Sequence, residues 1–168
     1  NNTCLNKSIL LITPPFTQLN TPYPATAYLK GFLNTKNIRA FQSDLGIEVI
    51  LALFSKPGLQ HLFAVINDQC AAHRTLWASG VQKENTPNTS RIISLQEDYI
   101  NTIDAVMLFL QGKSPTLAHL VCKRDFLPEA ERFAQLDDLK WAFGSMGIQD
   151  KAKHLATMYL EDLGDLIK

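Results

Sequence analysis

The stretch Ser8-Ile9-Leu10-Leu11-Ile12-Thr13, stopped by Pro14-Pro15, decides the fold class. It is a short continuous apolar run with β-branched residues, the pattern of a strand buried on both faces. Prolines end it because they lack the N–H that a strand ladder needs. A polar, proline-rich loop runs from Phe16 to Tyr23. Pro24 then suits the first position of a helix through Ala25-Thr26-Ala27-Tyr28-Leu29-Lys30-Gly31-Phe32-Leu33. Ala27 and Gly31, four apart, give that helix a small-residue face for close approach to a sheet. Asn37 is a left-handed stop, and Ile38-Arg39-Ala40-Phe41-Gln42-Ser43 alternates as a second strand. Strand, helix and strand in so short a span predict a right-handed parallel βαβ unit.

From Gly46 onward the pattern is helical. Ile47 to Phe54 is apolar nearly all round, which predicts a buried helix. Leu59, Leu62, Phe63 and Ile66 follow the helical spacing just after Pro57, a residue suited to a helix start. Gly80 to Ser90 is the most loop-like part of the chain. Ser90 is the expected cap of a long helix with the stripe Leu95, Tyr99, Ile103, Val106 and Leu110, ending at Gly112. Ser114-Pro115 and Leu127-Pro128 open short helices. Leu136, Leu139 and Phe143 form a further face, and Leu155, Tyr159, Leu163 and Leu166 mark a last helix. The expected class is α/β and helix-dominated. Residues 1–46 form the βαβ corner of a Rossmann-like parallel sheet, and residues 47–168 form an all-helical segment packed on it as a single structural unit. Two strands alone make a poor sheet, and the last stripe still runs at Lys168, so the expectation is a piece of a longer chain.

Composition narrows the functional classes. The 168 residues are 46% hydrophobic and 19% charged, an ordinary globular balance. Sixteen basic and 16 acidic side chains cancel, leaving no electrostatic footprint for nucleic acid or an anionic membrane. No apolar run approaches the roughly 20 residues of a spanning helix, so a soluble, cytoplasmic protein is expected. Cys4, Cys70 and Cys122 lie far apart with no Cys-x-x-Cys, and His61, His73, His119 and His154 are scattered, so no metal site is read. Asp137-Asp138 and Glu161-Asp162 are neighbours on helices and point in different directions. They read as solvated faces rather than as an acid–base dyad.

Ligands of parallel α/β sheets bind at the carboxyl ends of the strands. Here those ends are Thr13-Pro14-Pro15-Phe16 and Ser43-Asp44-Leu45-Gly46. The first loop has no glycine, and prolines remove the N–H donors that cradle phosphate, so dinucleotide cofactors and a Walker-type loop are disfavoured. A rigid Pro-Pro-Phe turn offers either an apolar platform for a large flat ligand or a stiff cover for the sheet top. Asp44 sits where an acidic residue reaches a ribose in other α/β folds. Its commoner role is to cap the helix starting near Leu45 or Gly46, with Glu48 in the first turn.

The ordered series Ile9-Leu10-Leu11-Ile12-Thr13-Pro14-Pro15-Phe16, Pro22-Tyr23-Pro24, Ala27-Tyr28-Leu29, Phe32-Leu33 and a second strand ending in Asp44 resembles the amino-terminal cobalamin-binding domain of radical S-adenosylmethionine enzymes. The resemblance covers roughly residues 8 to 46. Asp125 to Phe133 and Phe143 to Gly147 look like the helical insertion of a subgroup. The resemblance implies a doubly wound sheet holding cobalamin over its strand ends, with Thr13, Pro14, Pro15 and Phe16 matching the first corrin-facing loop and Asp44 the acidic end of strand two. It also implies a downstream barrel domain whose Cys-x-x-x-Cys-x-x-Cys holds a [4Fe-4S] cluster that cleaves S-adenosylmethionine, with methyl transfer among the reactions of the family. That triad is absent from these residues, so no catalytic residue is assigned here. Gly46 also stands where the cobalt-ligating histidine of Asp-x-His-x-x-Gly would be. The alternative is a non-catalytic helical interaction module with a degenerate, ligand-free βαβ corner, able to form a homodimer through its open sheet edge.

Overall fold

The computed structural model describes residues 8–15, 24–76, 86–134 and 147–167, the side chains of 70–76 excepted. It is an α/β, helix-dominated chain. The elements run β1 (Ser8–Thr13), α1 (Pro24–Thr35), β2 (Arg39–Asp44), α2 (Leu45–Leu53), α3 (Lys56–Leu76), α4 (Pro87–Ser94), α5 (Gln96–Leu110), α6 (Leu117–Cys122), α7 (Glu131–Ala134) and α8 (Ile148–Ile167). They fall into two compact units, Asn1–Leu53 and Phe54–Lys168. The boundary therefore lies after α2 rather than at residue 46, and α2 belongs with the strands, where it lies against β1.

In the first unit β1 and β2 pair in parallel, in register from Ser8 opposite Arg39 to Thr13 opposite Asp44. Pro24 opens α1, and Asn37 turns the chain back at φ 56°, as expected of a left-handed stop. Helix α1 meets the sheet through the buried Thr26, whose Oγ1 accepts a hydrogen bond from Gln42 Nε2 at 2.8 Å. Ala27 and Gly31 are exposed, and nothing lies within 4 Å of a Cβ built at Gly31. The small-residue face thus does not carry the close approach expected of it, because the polar Thr26–Gln42 pair sets the rotation of the helix. Register places Ile9, Leu11 and Thr13 on the same face as Ala40 and Gln42. The opposite face carries Leu10, Ile12 and Phe41, which are 57%, 49% and 53% exposed.

That exposure corrects the expectation of a strand buried on both faces. Double burial needs helices on both sides of a parallel sheet, and β1-α1-β2 supplies one. Helix α2 is corrected likewise. It is apolar nearly all round, yet only Gly46 is buried, while Ile47 and Leu51 are 50% and 43% exposed.

The second unit follows its sequence pattern closely. Leu59 and Phe63 of α3, Tyr99, Ile103 and Val106 of α5, and Leu155, Tyr159 and Leu163 of α8 are all buried in one core with Ile92, Val121 and Phe133. Helix α3 packs with α5, and α6 with α8. Gly112, at φ 76°, ends the segment after α5. Ser90 is not a cap but lies inside α4. The cap is Thr86, extended at φ −61° and ψ 153°, whose side chain accepts the Thr89 N–H at 3.2 Å, with Pro87 at the first helical position. The expected single helix is two, broken at Leu95 (φ −100°, ψ 14°). Beyond Leu127-Pro128 the helix α7 begins only at Glu131. Leu136, Leu139 and Phe143 lie outside the described residues.

Candidate functional site

The parallel register brings the two strand ends together, since Thr13 and Asp44 are direct partners. Pro14-Pro15 and the start of α2 therefore follow the sheet side by side, which is where a parallel sheet offers a crevice. Of the residues read from the sequence, Thr13 is buried, Pro14 is exposed and Pro15 is half-buried. Phe16 lies outside the described residues. Asp44 Oδ1 accepts the Ile47 N–H at 3.2 Å, so its carboxylate caps α2, the commoner of the two roles read for it. Ser43 Oγ donates to Glu48 Oε1 at 2.5 Å across the same turn. The arrangement is an apolar Pro-Pro edge beside a fixed carboxylate.

The other candidates do not converge. His61, His119 and His154 are exposed on α3, α6 and α8. Among the described residues no group of three or more His, Cys, Asp or Glu could hold a metal ion. Cys122 Sγ donates to the Ile148 carbonyl at 3.4 Å, and burial pushes its thiol pKa up, away from the thiolate that reactivity needs. No single described helix is long and apolar enough to cross a membrane.

A denser polar assembly lies in the helical unit, where sequence reading had placed none. Asn88, buried on α4, is its hub. Its Nδ2 donates to Asp165 Oδ2 at 3.2 Å and Asp162 Oδ1 at 3.4 Å, and its Oδ1 accepts the Glu131 N–H at 3.0 Å. Arg132 donates to both oxygens of Asp165, at 2.9 and 3.4 Å, and to Glu161 at 3.4 Å. Thr86, Asn88, Thr89, Glu131, Arg132 and Asp165 line an open cleft of about 430 Å³. Arg124, held at φ 64°, grips both oxygens of Glu129 at 2.7 and 2.6 Å.

Asp162 departs furthest from expectation. The pair Glu161-Asp162 was read as a solvated face, but only Glu161 is exposed and Asp162 is fully buried. The signal was available in the spacing. Asp162 falls three residues after Tyr159 and next to Leu163, inside the apolar stripe of α8. Burial pushes its carboxyl up to about 6, against the opposing pull of Asn88 and Arg132. Nearby, the rings of Tyr99 and Tyr159 stack with centroids 4.9 Å apart, and burial raises both phenols, with the Asp162 charge adding to the effect at Tyr99.

Compared with protein-family models, curated proteins and solved structures, the chain matches none.

Proposed function

We propose that the first unit is the opening corner of a cobalamin-binding parallel α/β sheet in a cytoplasmic protein. A further radical S-adenosylmethionine domain, with its [4Fe-4S] cluster, carries the chemistry. The observation that supports this reading is the in-register ending of two parallel strands at Thr13 and Asp44, beside the glycine-free turn of Pro14 and Pro15. This chain then contributes binding and not catalysis. Pro14 and Pro15, with Phe16 next in sequence, are the apolar residues expected to meet a flat macrocycle. Asp44 holds the first turn of α2 at the end of the second strand, and no side chain of this corner is required as a cobalt ligand. Thr13 closes the sheet beneath.

Titration of the full-length protein with aquacobalamin, followed by visible absorption, tests the reading. Saturable one-to-one binding, weakened at least several-fold by Pro14→Gly with Pro15→Gly, is expected. Absence of binding by the full-length protein overturns it.

A second reading, the helical interaction module, is favoured by a separate observation. The first unit exposes Tyr28, Leu29 and Phe32 on α1 in addition to Leu10, Ile12 and Phe41 on the sheet. On this reading the open sheet edge or face takes a second copy. Sedimentation at high concentration separates the two. A dimer without corrin affinity supports the module, and a monomer that binds the corrin excludes it.

A further inference from the structure

We propose that Asp162 is a proton-controlled latch in the helical unit: neutral, it lets α4 and α7 close on α8, and ionised, it loosens that seam. The inference is independent of the cofactor reading, since it concerns the other unit.

The geometry around Asp162 is that of an acid poorly compensated as an anion. A fully buried carboxylate needs strong partners to stay ionised. The guanidinium of Arg132 forms its two hydrogen bonds with Asp165 and a third with Glu161, and stands 3.7 Å from Asp162 Oδ1. Asp162 Oδ1 receives a long hydrogen bond, 3.4 Å, from Asn88, and the backbone of Arg132 adds a further pull toward the anion. Its other oxygen, Oδ2, is buried without a hydrogen-bond partner, and so is the hydroxyl of Tyr99 on α5. A proton on Oδ2 removes the buried charge and turns an orphaned acceptor into a donor.

The charged and titratable neighbours act in both directions: Asn88 and Arg132 favour the anion and Asp165 opposes it, while burial outweighs them. From α4 come Asn88 and, acting on Tyr99, Arg91. From α5 comes Tyr99. From α7 comes Arg132, and on α8 itself lie Asp165 and Tyr159. One cation, Arg132, contacts three carboxylates, Glu161, Asp162 and Asp165, so ionising the buried one leaves the cluster in anionic excess. Asn88 and Arg132 are also the residues that tie α4 and α7 to α8, so the excess acts on the seam itself.

The test is carried out on the whole chain. A carbon-13 titration of the Asp162 carboxyl in the unmodified protein is expected to give a midpoint near 6, as burial requires. Amide exchange in Thr89–Ser94, corrected for intrinsic rates, is expected to quicken about tenfold between pH 5 and pH 7.5, one factor of ten for the pH unit between 5 and the midpoint. Asp162→Asn, an isostere of the neutral acid, is expected to abolish that rise. A midpoint in the ordinary carboxylate range overturns the latch. So does an Asp162→Asn protein that keeps the rise.

Discussion

The two units of this chain treat the same kinds of side chain in opposite ways. In Phe54–Lys168 the apolar stripes meet one another, and Leu59, Ile103, Tyr159 and Leu163 are fully withdrawn from water. In Asn1–Leu53 residues of equal hydrophobicity, Leu10, Ile12 and Phe41, stand about half open. Apolar content alone therefore does not determine burial. Helices can bury a stripe against any neighbour that offers another stripe, whereas a parallel sheet has two faces and needs layers on both. A two-stranded corner with one helix across it leaves a surplus of apolar surface.

The comparison can be broken most directly by truncation. Leu163→Ala or Ile103→Ala should cost about 2–5 kcal/mol in urea unfolding, the range for emptying a closed core. The same truncation at Leu10 should cost less than about 1 kcal/mol, because a half-exposed side chain leaves no sealed cavity. Equal costs at the two sites would mean that Leu10 is covered in solution.

A pH series sharpens the contrast from the helical side. The folded carboxyl of Asp162, near 6, lies above its unfolded value of 3.8. The native state then holds the extra proton between those values. Its stabilising contribution is complete below the unfolded pKa and is lost as pH rises through the folded one, about 3 kcal/mol in all. Unfolding midpoints of the unmodified protein and Asp162→Asn should therefore diverge above pH 6, with the variant the more stable. A variant less stable than the parent at pH 7.5 would contradict the sign.

Smaller effects test the helix starts. Thr86→Ala removes the cap of α4 and Asp44→Ala that of α2, each worth about 1 kcal/mol. Thr86→Ala should show in global unfolding, and Asp44→Ala should show as faster exchange of the α2 amides, with Asp44→Asn restoring protection. The smallest effect is expected of Phe41→Ser on the open face, within about 0.5 kcal/mol, together with a lower tendency to associate. A large loss of stability there would show that the face is structural.

What was legible in the sequence followed from local signals. The run Ser8 to Thr13, Pro24 at a helix start and Asn37 at a left-handed turn each act within a few residues, and each stands where expected. The core stripes of α3, α5 and α8 were legible for the same reason. The start of α4 lies at Thr86-Pro87 rather than at Ser90, and the pair carries the stronger cue, a capping hydroxyl followed by a proline in the first turn. The polar hub was not legible. Asn88 meets Asp162 and Asp165 across 74 and 77 residues, and no spacing rule reaches that far. At the strand ends the pairing of Thr13 with Asp44 was implied by parallel topology, but the engagement of Asp44 by Ile47 is a matter of geometry that two roles shared in sequence.

The hydroxyl of Tyr159 has a consequence for how α8 and α5 recognise one another. It donates to the Tyr99 carbonyl at 3.1 Å and lies 3.0 Å from Thr102 Oγ1, all within the core. Two aliphatic helix surfaces can slide by a turn and find nearly as good a fit, since the loss of one set of methyl contacts is matched by another. A hydroxyl anchored to one carbonyl cannot. Sliding α8 by one turn, about 5.4 Å, would strand the tyrosine oxygen in hydrocarbon. The buried hydrogen bond thus acts as an index mark, allowing a single alignment among several that the surrounding leucines and valines would tolerate.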